Sequence, residues 1–207
     1  MLLQHHTIGH IEIGCDEAGR GCLAGPVYAA AVMLPDDYRN DTLNDSKQLT
    51  ERKRYLLREE IERDAVAWAV AFVDNEGIDQ TNILRASFHA MNLAINQILE
   101  KVQTDKRIPT PQALIIDGNR FYNETPLPYT CIVKGDAKYL SIAAASILAK
   151  TYRDDFMLEA HKKYPDYGWD RNKGYPTQQH YDAIEQHGIT PLHRKSYRLE
   201  RQLTLEF

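Results

Sequence analysis

The chain reads as an α/β protein, a mixed central β-sheet flanked by helices with a small C-terminal helical segment. Three observations predict this. An apolar hairpin pattern opens the sequence, and strand-like and helix-like periodicities alternate after it. The composition, 43% hydrophobic and 26% charged, is that of an ordinary globular chain. At 207 residues the chain is long enough to bury a sizeable core, and one domain is expected, with residues 165–207 as its C-terminal segment.

Residues 10–16 alternate apolar side chains before a glycine-rich turn, and residues 24–34 (AGPVYAAAVML) form an apolar run of strand length, so the two read as a hairpin closed by Pro35-Asp36-Asp37. Thr50 is placed to cap a helix running to about Arg63, with Tyr55, Leu56 and Ile61 on its inner face. In residues 65–73, Val66, Trp68, Val70 and Phe72 alternate with smaller residues, as in a strand. Residues 79–102 then read as one long amphipathic helix, with Leu84, Phe88, Met91, Ile95, Ile98 and Val102 in helical repeat. Residues 113–117 and 129–133 are short strands around a proline-bearing loop. Residues 138–164 form an alanine-rich helix, and residues 177–187 another, stopped by Gly188.

The composition also narrows the function. No stretch approaches the ~20 apolar residues that span a bilayer, and the N-terminal segment lacks the pattern of an export signal, so no membrane contact and a cytoplasmic location are expected. Cys15, Cys22 and Cys131 form no Cys-x-x-Cys pair and read as reduced. With 25 basic and 29 acidic residues the net charge is −4, which excludes a wholesale basic surface, so any nucleic-acid contact must be local.

The chemistry should lie where acids meet glycines. Asp16 and Glu17 sit where an apolar strand runs into Gly19 and Gly21; neighbours on a strand point to opposite faces, so both serve one site only if the chain ends or bends there. Asp117 ends the strand Ile115-Ile116-Asp117-Gly118, and Asp136 follows another in Lys134-Gly135-Asp136. Clustered carboxylates raise one another's pKa unless a cation neutralises them, and hard oxygen ligands suit Mg²⁺ or Mn²⁺ rather than zinc. Two such ions, about 4 Å apart, support phosphodiester hydrolysis. Each acid on its own could equally cap a turn; four at such positions favour a site.

Gly19-Arg20-Gly21-Cys22-Leu23-Ala24 also fits the dinucleotide fingerprint G-x-G-x-x-A. Gly25-Pro26 and a β-rich run follow it where a helix N-terminus would have to begin, and two carboxylates precede it, so a nucleotide cofactor is disfavoured. Its crowded amides can still serve a phosphate or sugar hydroxyl of a substrate strand. Lys47 could touch a phosphate or merely be solvated. Between Tyr164 and Tyr175, rings interleave with bases, which suits either stacking on a nucleotide or simple packing.

Seven segments together carry a resemblance: Asp16-Glu17-Ala18-Gly19-Arg20-Gly21, Asp45-Ser46-Lys47-Gln48-Leu49, Asp117-Gly118-Asn119, Lys134-Gly135-Asp136, Ser141-Ile142-Ala143-Ala144-Ala145-Ser146, Asn172-Lys173-Gly174-Tyr175 and His193-Arg194-Lys195-Ser196-Tyr197. In this order they resemble the ribonuclease HII family, the type 2 ribonucleases H, over nearly the whole chain. The resemblance implies a ribonuclease H-like fold and a metal site of Asp16, Glu17, Asp117 and Asp136 holding Mn²⁺ or Mg²⁺. It implies that the Gly19-Arg20-Gly21 turn senses the ribose 2′-hydroxyl, that Lys47 belongs to the substrate site and that Tyr175 stacks on the next sugar. The implied reaction is endonucleolytic cleavage 5′ of a ribonucleotide, in RNA/DNA hybrids or duplex DNA, by metal-activated water. At Tyr197 the family often has Phe, a mild departure.

The tail, Gln202-Leu203-Thr204-Leu205-Glu206-Phe207, is similar to peptides that dock bacterial replication and repair proteins on the sliding clamp; finishing a packed segment is the competing expectation. A monomer is expected. A resolvase- or integrase-like phosphoryl-transfer core and a noncatalytic nucleic-acid-binding module are the competing functions, the latter disfavoured because binding alone gives no reason to gather acids where phosphates must sit.

Overall fold

The computed structural model describes residues 2–43, 46 and 49–200. Strands β1 (Glu12–Ala18), β2 (Val27–Met33), β3 (Ala67–Val73), β4 (Ala113–Asp117) and β5 (Tyr129–Ile132) form one mixed sheet in the order β3-β2-β1-β4-β5. The hairpin partners β1 and β2 are antiparallel, as are β2 and β3, whereas β4 lies parallel to β1 and β5 parallel to β4. Helices α1 (Glu51–Asp64), α2 (Asn75–Gln80), α3 (Ile83–Thr104), α4 (Leu140–Lys163), α5 (Trp169–Asn172) and α6 (Gln178–His187) complete the fold.

The sheet is buried on both faces, which is why its central strands are runs of small and branched apolar residues rather than alternating ones. Every residue of β2 is buried. Ala29 and Ala31 pack toward α3, among Met91, Ala94, Ile95 and Ile98, while Ala30 and Val32 pack toward α1 and α4, among Leu57, Ile61, Ala144 and Leu148. Alanine at the sheet surface lets each helix approach closely, and the large side chains are supplied by the helices. Burying each of Ile95 and Ile98 stabilises the fold by roughly 1.5–3 kcal/mol.

Three details differ from the sequence reading. The region read as one helix over residues 79–102 is two: Asp74 caps α2 by accepting from Gly77 N–H, and Asn82 starts α3 by accepting from Arg85 N–H. In α1, capped by Thr50 as expected, Leu57 and Ile61 are buried while Leu56 is 51% exposed. The inner face is therefore set by Leu57, one position on. Strand β1 continues through Glu17 to Ala18, so Asp16 lies within the strand rather than at its end.

Candidate active site

The register of the parallel pair creates the site. Cys15 pairs with Ile116, so the next residues, Asp16 and Asp117, stand side by side on adjacent strands. A cavity of about 220 Å³ opens there, lined by Asp16, Glu17, Asp117, the Gly19-Arg20-Gly21 turn and Tyr175, with Ser46, Ser146 and Lys150. A larger cavity of about 670 Å³ lies against α2 and α3, around Leu84, Phe88 and Tyr122, but it holds none of these acids. Volume is therefore a poorer guide to chemistry here than the convergence of carboxylates.

Asp16 is 4% exposed. Burial first, then the charges of Glu17 and Asp117, push its carboxyl well above the ordinary carboxylate range, while hydrogen bonds from Ser146 and from the Glu17 backbone N–H, at 2.7 Å from Oδ1, partly oppose them. Glu17 accepts from Arg20 Nη1 at 3.0 Å. Asp117 Oδ1 accepts from Gly135 N–H at 2.7 Å, which ties the end of β4 to the 3-10 turn Gly135–Ala137. That turn carries Asp136, which is buried at 5% exposure but does not line the cavity. The structure thus brings together Asp16, Glu17 and Asp117, with Asp136 one residue beyond the amide that holds Asp117. Lys47 lies outside the described residues.

These groups fit a divalent cation by their chemistry: hard oxygen donors, mutually repelling, one of them buried. Among the described residues no three acidic, His or Cys side chains form a ready-made ion cage.

Helix α4 reaches the site because Gly14 has no side chain. A Cβ there would stand 2.4 Å from the Ser141 carbonyl carbon and 2.6 Å from Ile142 N. The helix consequently delivers the buried Ser146 and the half-buried Lys150 to the cavity. Lys150 is paired with Asp154 at 2.5 Å, and Ser146 Oγ lies 2.9 Å from Ser46 Oγ. Ser146 closes one of the seven segments quoted above but was given no role there, and Lys150 was not singled out; the signal was there, as two polar positions four apart on a largely apolar helix.

The aromatic and basic stretch divides. Trp169 and Tyr167 are buried against His180 and His193 and serve packing, whereas Tyr175 is 39% exposed at the cavity. A buried relay fixes Tyr175. His193 Nδ1 accepts from Thr190 N–H at 2.9 Å, so its proton is on Nε2, facing His180 Nε2 at 3.2 Å. His180 Nε2 also accepts from Trp169 Nε1–H, so Nδ1–H is left to donate to the Tyr175 carbonyl at 3.0 Å. Burial accordingly lowers both histidines, His193 to about 4. The Tyr175 hydroxyl is hydrogen-bonded to Cys22, and the ring lies 5.8 Å from the Arg153 guanidinium.

The glycine turn leads into no helix: Leu23 N–H donates to Gly174 O, Ala24 bridges His193, and β2 follows. The helix N-terminus that a dinucleotide fingerprint needs is therefore not formed after this turn.

Acids side by side on parallel strands of a five-stranded mixed sheet, covered by helices on both faces, define a nuclease of the ribonuclease H-like class. A family model described as ribonuclease HII matches residues 13–200. The ribonuclease HII of Parabacteroides distasonis is 61% identical over 208 residues, covering 100% of both chains. Among solved structures, a PCNA:RNase HII complex from Archaeoglobus fulgidus matches with a TM-score of 0.66 and 26% identity, covering 94% of this chain and 98% of that one. A Bst-RNase HIII solved in complex with Mn²⁺ shares the fold, with a TM-score of 0.67 and 20% identity over 88% of this chain and 65% of that one. The chain belongs to the ribonuclease HII family. It is a metal-dependent endoribonuclease of the ribonuclease H type, acting on RNA/DNA hybrids.

Proposed function

We propose that this cavity hydrolyses the phosphodiester on the 5′ side of a ribonucleotide, both in hybrids and in duplex DNA with embedded ribonucleotides, leaving 3′-hydroxyl and 5′-phosphate ends. The observation that carries the reading is the β1–β4 register, which sets Asp16 beside Asp117 in one cavity with the Gly19-Arg20-Gly21 turn and Tyr175. Asp16, Glu17, Asp117 and Asp136 would hold Mg²⁺ or Mn²⁺, and the Mn²⁺ complex of the ribonuclease HIII relative supports that choice. When bound, the cation polarises the phosphate and makes the attacking water more acidic.

The chain's own residues do the rest. Ser146 orients Asp16, and the Gly135 amide orients Asp117. Backbone amides of the glycine turn meet the ribose 2′-hydroxyl, the one group that separates this substrate from DNA. Tyr175 stacks on the neighbouring sugar, and Lys47 is assigned to a phosphate. Residues 165–207 act as the substrate-contacting segment of a single catalytic domain, a role supported by Tyr175. The tail Gln202-Leu203-Thr204-Leu205-Glu206-Phe207 lies outside the described residues; a sliding clamp is its proposed partner, supported by the PCNA complex of the Archaeoglobus relative. We assign the protein to the cytoplasm as a monomer; among the described residues, no helix is long and apolar enough to cross a membrane.

The test is Asp117→Asn, which keeps side-chain size and an acceptor for Gly135 N–H but removes the charge. Hybrid cleavage in Mg²⁺ or Mn²⁺ is lost while circular dichroism and the melting midpoint are retained. Full activity in the folded variant would sink the metal assignment.

A further inference from the structure

The segment His193-Arg194-Lys195-Ser196-Tyr197 is far from the carboxylates in sequence, and beyond His193, which holds His180, it has no role in the chemistry above. Its Arg194 is fully buried, yet among the described residues no carboxylate pairs with it. Burying an unpaired guanidinium is costly unless its N–H groups are all engaged. They are engaged by backbone: Nη2–H donates to Gly19 O at 2.8 Å, Nη1–H to Arg20 O at 2.9 Å and Nε–H to Gly25 O at 2.9 Å. The Tyr197 hydroxyl donates to the same Arg20 oxygen at 2.7 Å. Two side chains at the far end of the chain thus converge on two successive carbonyls of the glycine turn.

The consequence follows from peptide geometry. In a planar trans peptide the C=O and the next N–H point in opposite directions, and the chain has no cis bond. Turning the Gly19 and Arg20 carbonyls into the protein therefore turns the amides of Arg20 and Gly21 outward. Both residues line the cavity, and among the described residues neither amide has an acceptor. The other flank of the turn is fixed by Arg153, also buried and, among the described residues, without a partner acid, which donates to Ala24, Pro26 and Lys173 carbonyls. Gly19 makes room for it: at φ 96°, a Cβ there would meet Arg153 Nε.

We propose that Arg194 and Tyr197 are specificity-determining positioning residues, which draw the Gly19 and Arg20 carbonyls inward so that the Arg20 and Gly21 amides face a ribose 2′-hydroxyl. The inference rests on the reading of this turn as the ribose sensor. The hydroxyl accepts from the aimed amides; a deoxyribose leaves them dehydrated and unpaired, and is rejected. In this chain Tyr197, where the family often has Phe, adds a hydrogen bond to the turn.

The experiment is a competition on the full-length enzyme with its divalent cation. A duplex with one embedded ribonucleotide is the substrate, giving kcat and KM, and the all-DNA duplex of the same sequence is the inhibitor, giving Ki. Discrimination is Ki divided by KM. Tyr197→Phe, a change of one atom, lowers this ratio by about fivefold, the worth of one hydrogen bond. Arg194→Lys lowers it by about tenfold or more, with Ki for DNA unchanged. A purely structural role would instead reduce the active fraction, lowering kcat and leaving the ratio as it was. Should Arg194→Lys fail to fold, Tyr197→Phe decides alone. A wild-type ratio near one refutes the ribose-sensor reading itself. A large wild-type ratio that Tyr197→Phe, or a folded Arg194→Lys, leaves intact overturns the positioning role.

Discussion

Tyr175 illustrates how little freedom a substrate-facing side chain has in this site. Its carbonyl is held by His180, its hydroxyl meets Cys22, and the residue is only partly exposed. A ring held at its hydroxyl can stack on a sugar at a smaller cost in conformational entropy than a free one. Tyr175→Ala should therefore reduce cleavage at an RNA–DNA junction about tenfold more than cleavage of a long hybrid, where neighbouring contacts compensate. Equal losses on both substrates, compared by kcat/KM, would refute the stacking role. Asp16, Glu17 and Asp117 were legible in the sequence because acids beside strand-end glycines form a local pattern. Arg194 was not, because its partners lie 169 to 175 residues away and a lone Arg in a polar segment carries no sign of burial. For Trp169 the sequence left stacking and packing open; it is core, because the ring's burial is decided by α4 and α6, which the local pattern does not contain.

The element that matters most is α4. It packs on β1 and β2, carries Ser146 and Lys150 to the cavity and holds Arg153 behind the glycine turn. It approaches the sheet closely at Gly14, two residues before Asp16. Gly14→Ala forces a methyl against the Ser141 backbone, which cannot swing aside like a flexible side chain. Overpacking of this kind costs about 1–3 kcal/mol and should lower the melting midpoint by several degrees, with a parallel loss of cleavage as Ser146 withdraws from Asp16. An unchanged midpoint in calorimetry would contradict the contact. Periodicity alone outlined α3, α4 and α6 to within a few residues. It missed the break at Thr81-Asn82, because the apolar repeat runs on across it while the decisive signal, an Asn cap, is a single side chain. It also gave α1 one wrong contact, Leu56, since Tyr55, Leu56 and Leu57 stand together and only the direction of the neighbouring sheet selects among them.

For the whole molecule, the net charge of −4 is balanced against a function that handles polyanions. The cost is concentrated at the acid cluster, which ties stability to pH and metal. Asp16 is held above its unfolded-state value, so it binds its proton more tightly in the folded protein. Its contribution is therefore complete below the ordinary carboxylate pKa and is lost as pH rises through the raised value. A divalent cation reverses this by pairing with the ionised form. The melting midpoint gained from Mn²⁺ over chelator should be larger at pH 8 than at pH 5; a cation present at 100 times its Kd contributes about 2.7 kcal/mol. Equal gains at the two pH values would argue against a carboxylate site.

The most direct measurement is cleavage of a duplex containing a single embedded ribonucleotide, incubated with Mg²⁺, with Mn²⁺ or with chelator, and mapped at nucleotide resolution. One cut on the 5′ side of the ribonucleotide, leaving a 3′-hydroxyl, with either cation and none in chelator, is the predicted result. Cutting in chelator, or equal cutting of the all-DNA duplex, would contradict a metal site set beside a ribose-sensing turn.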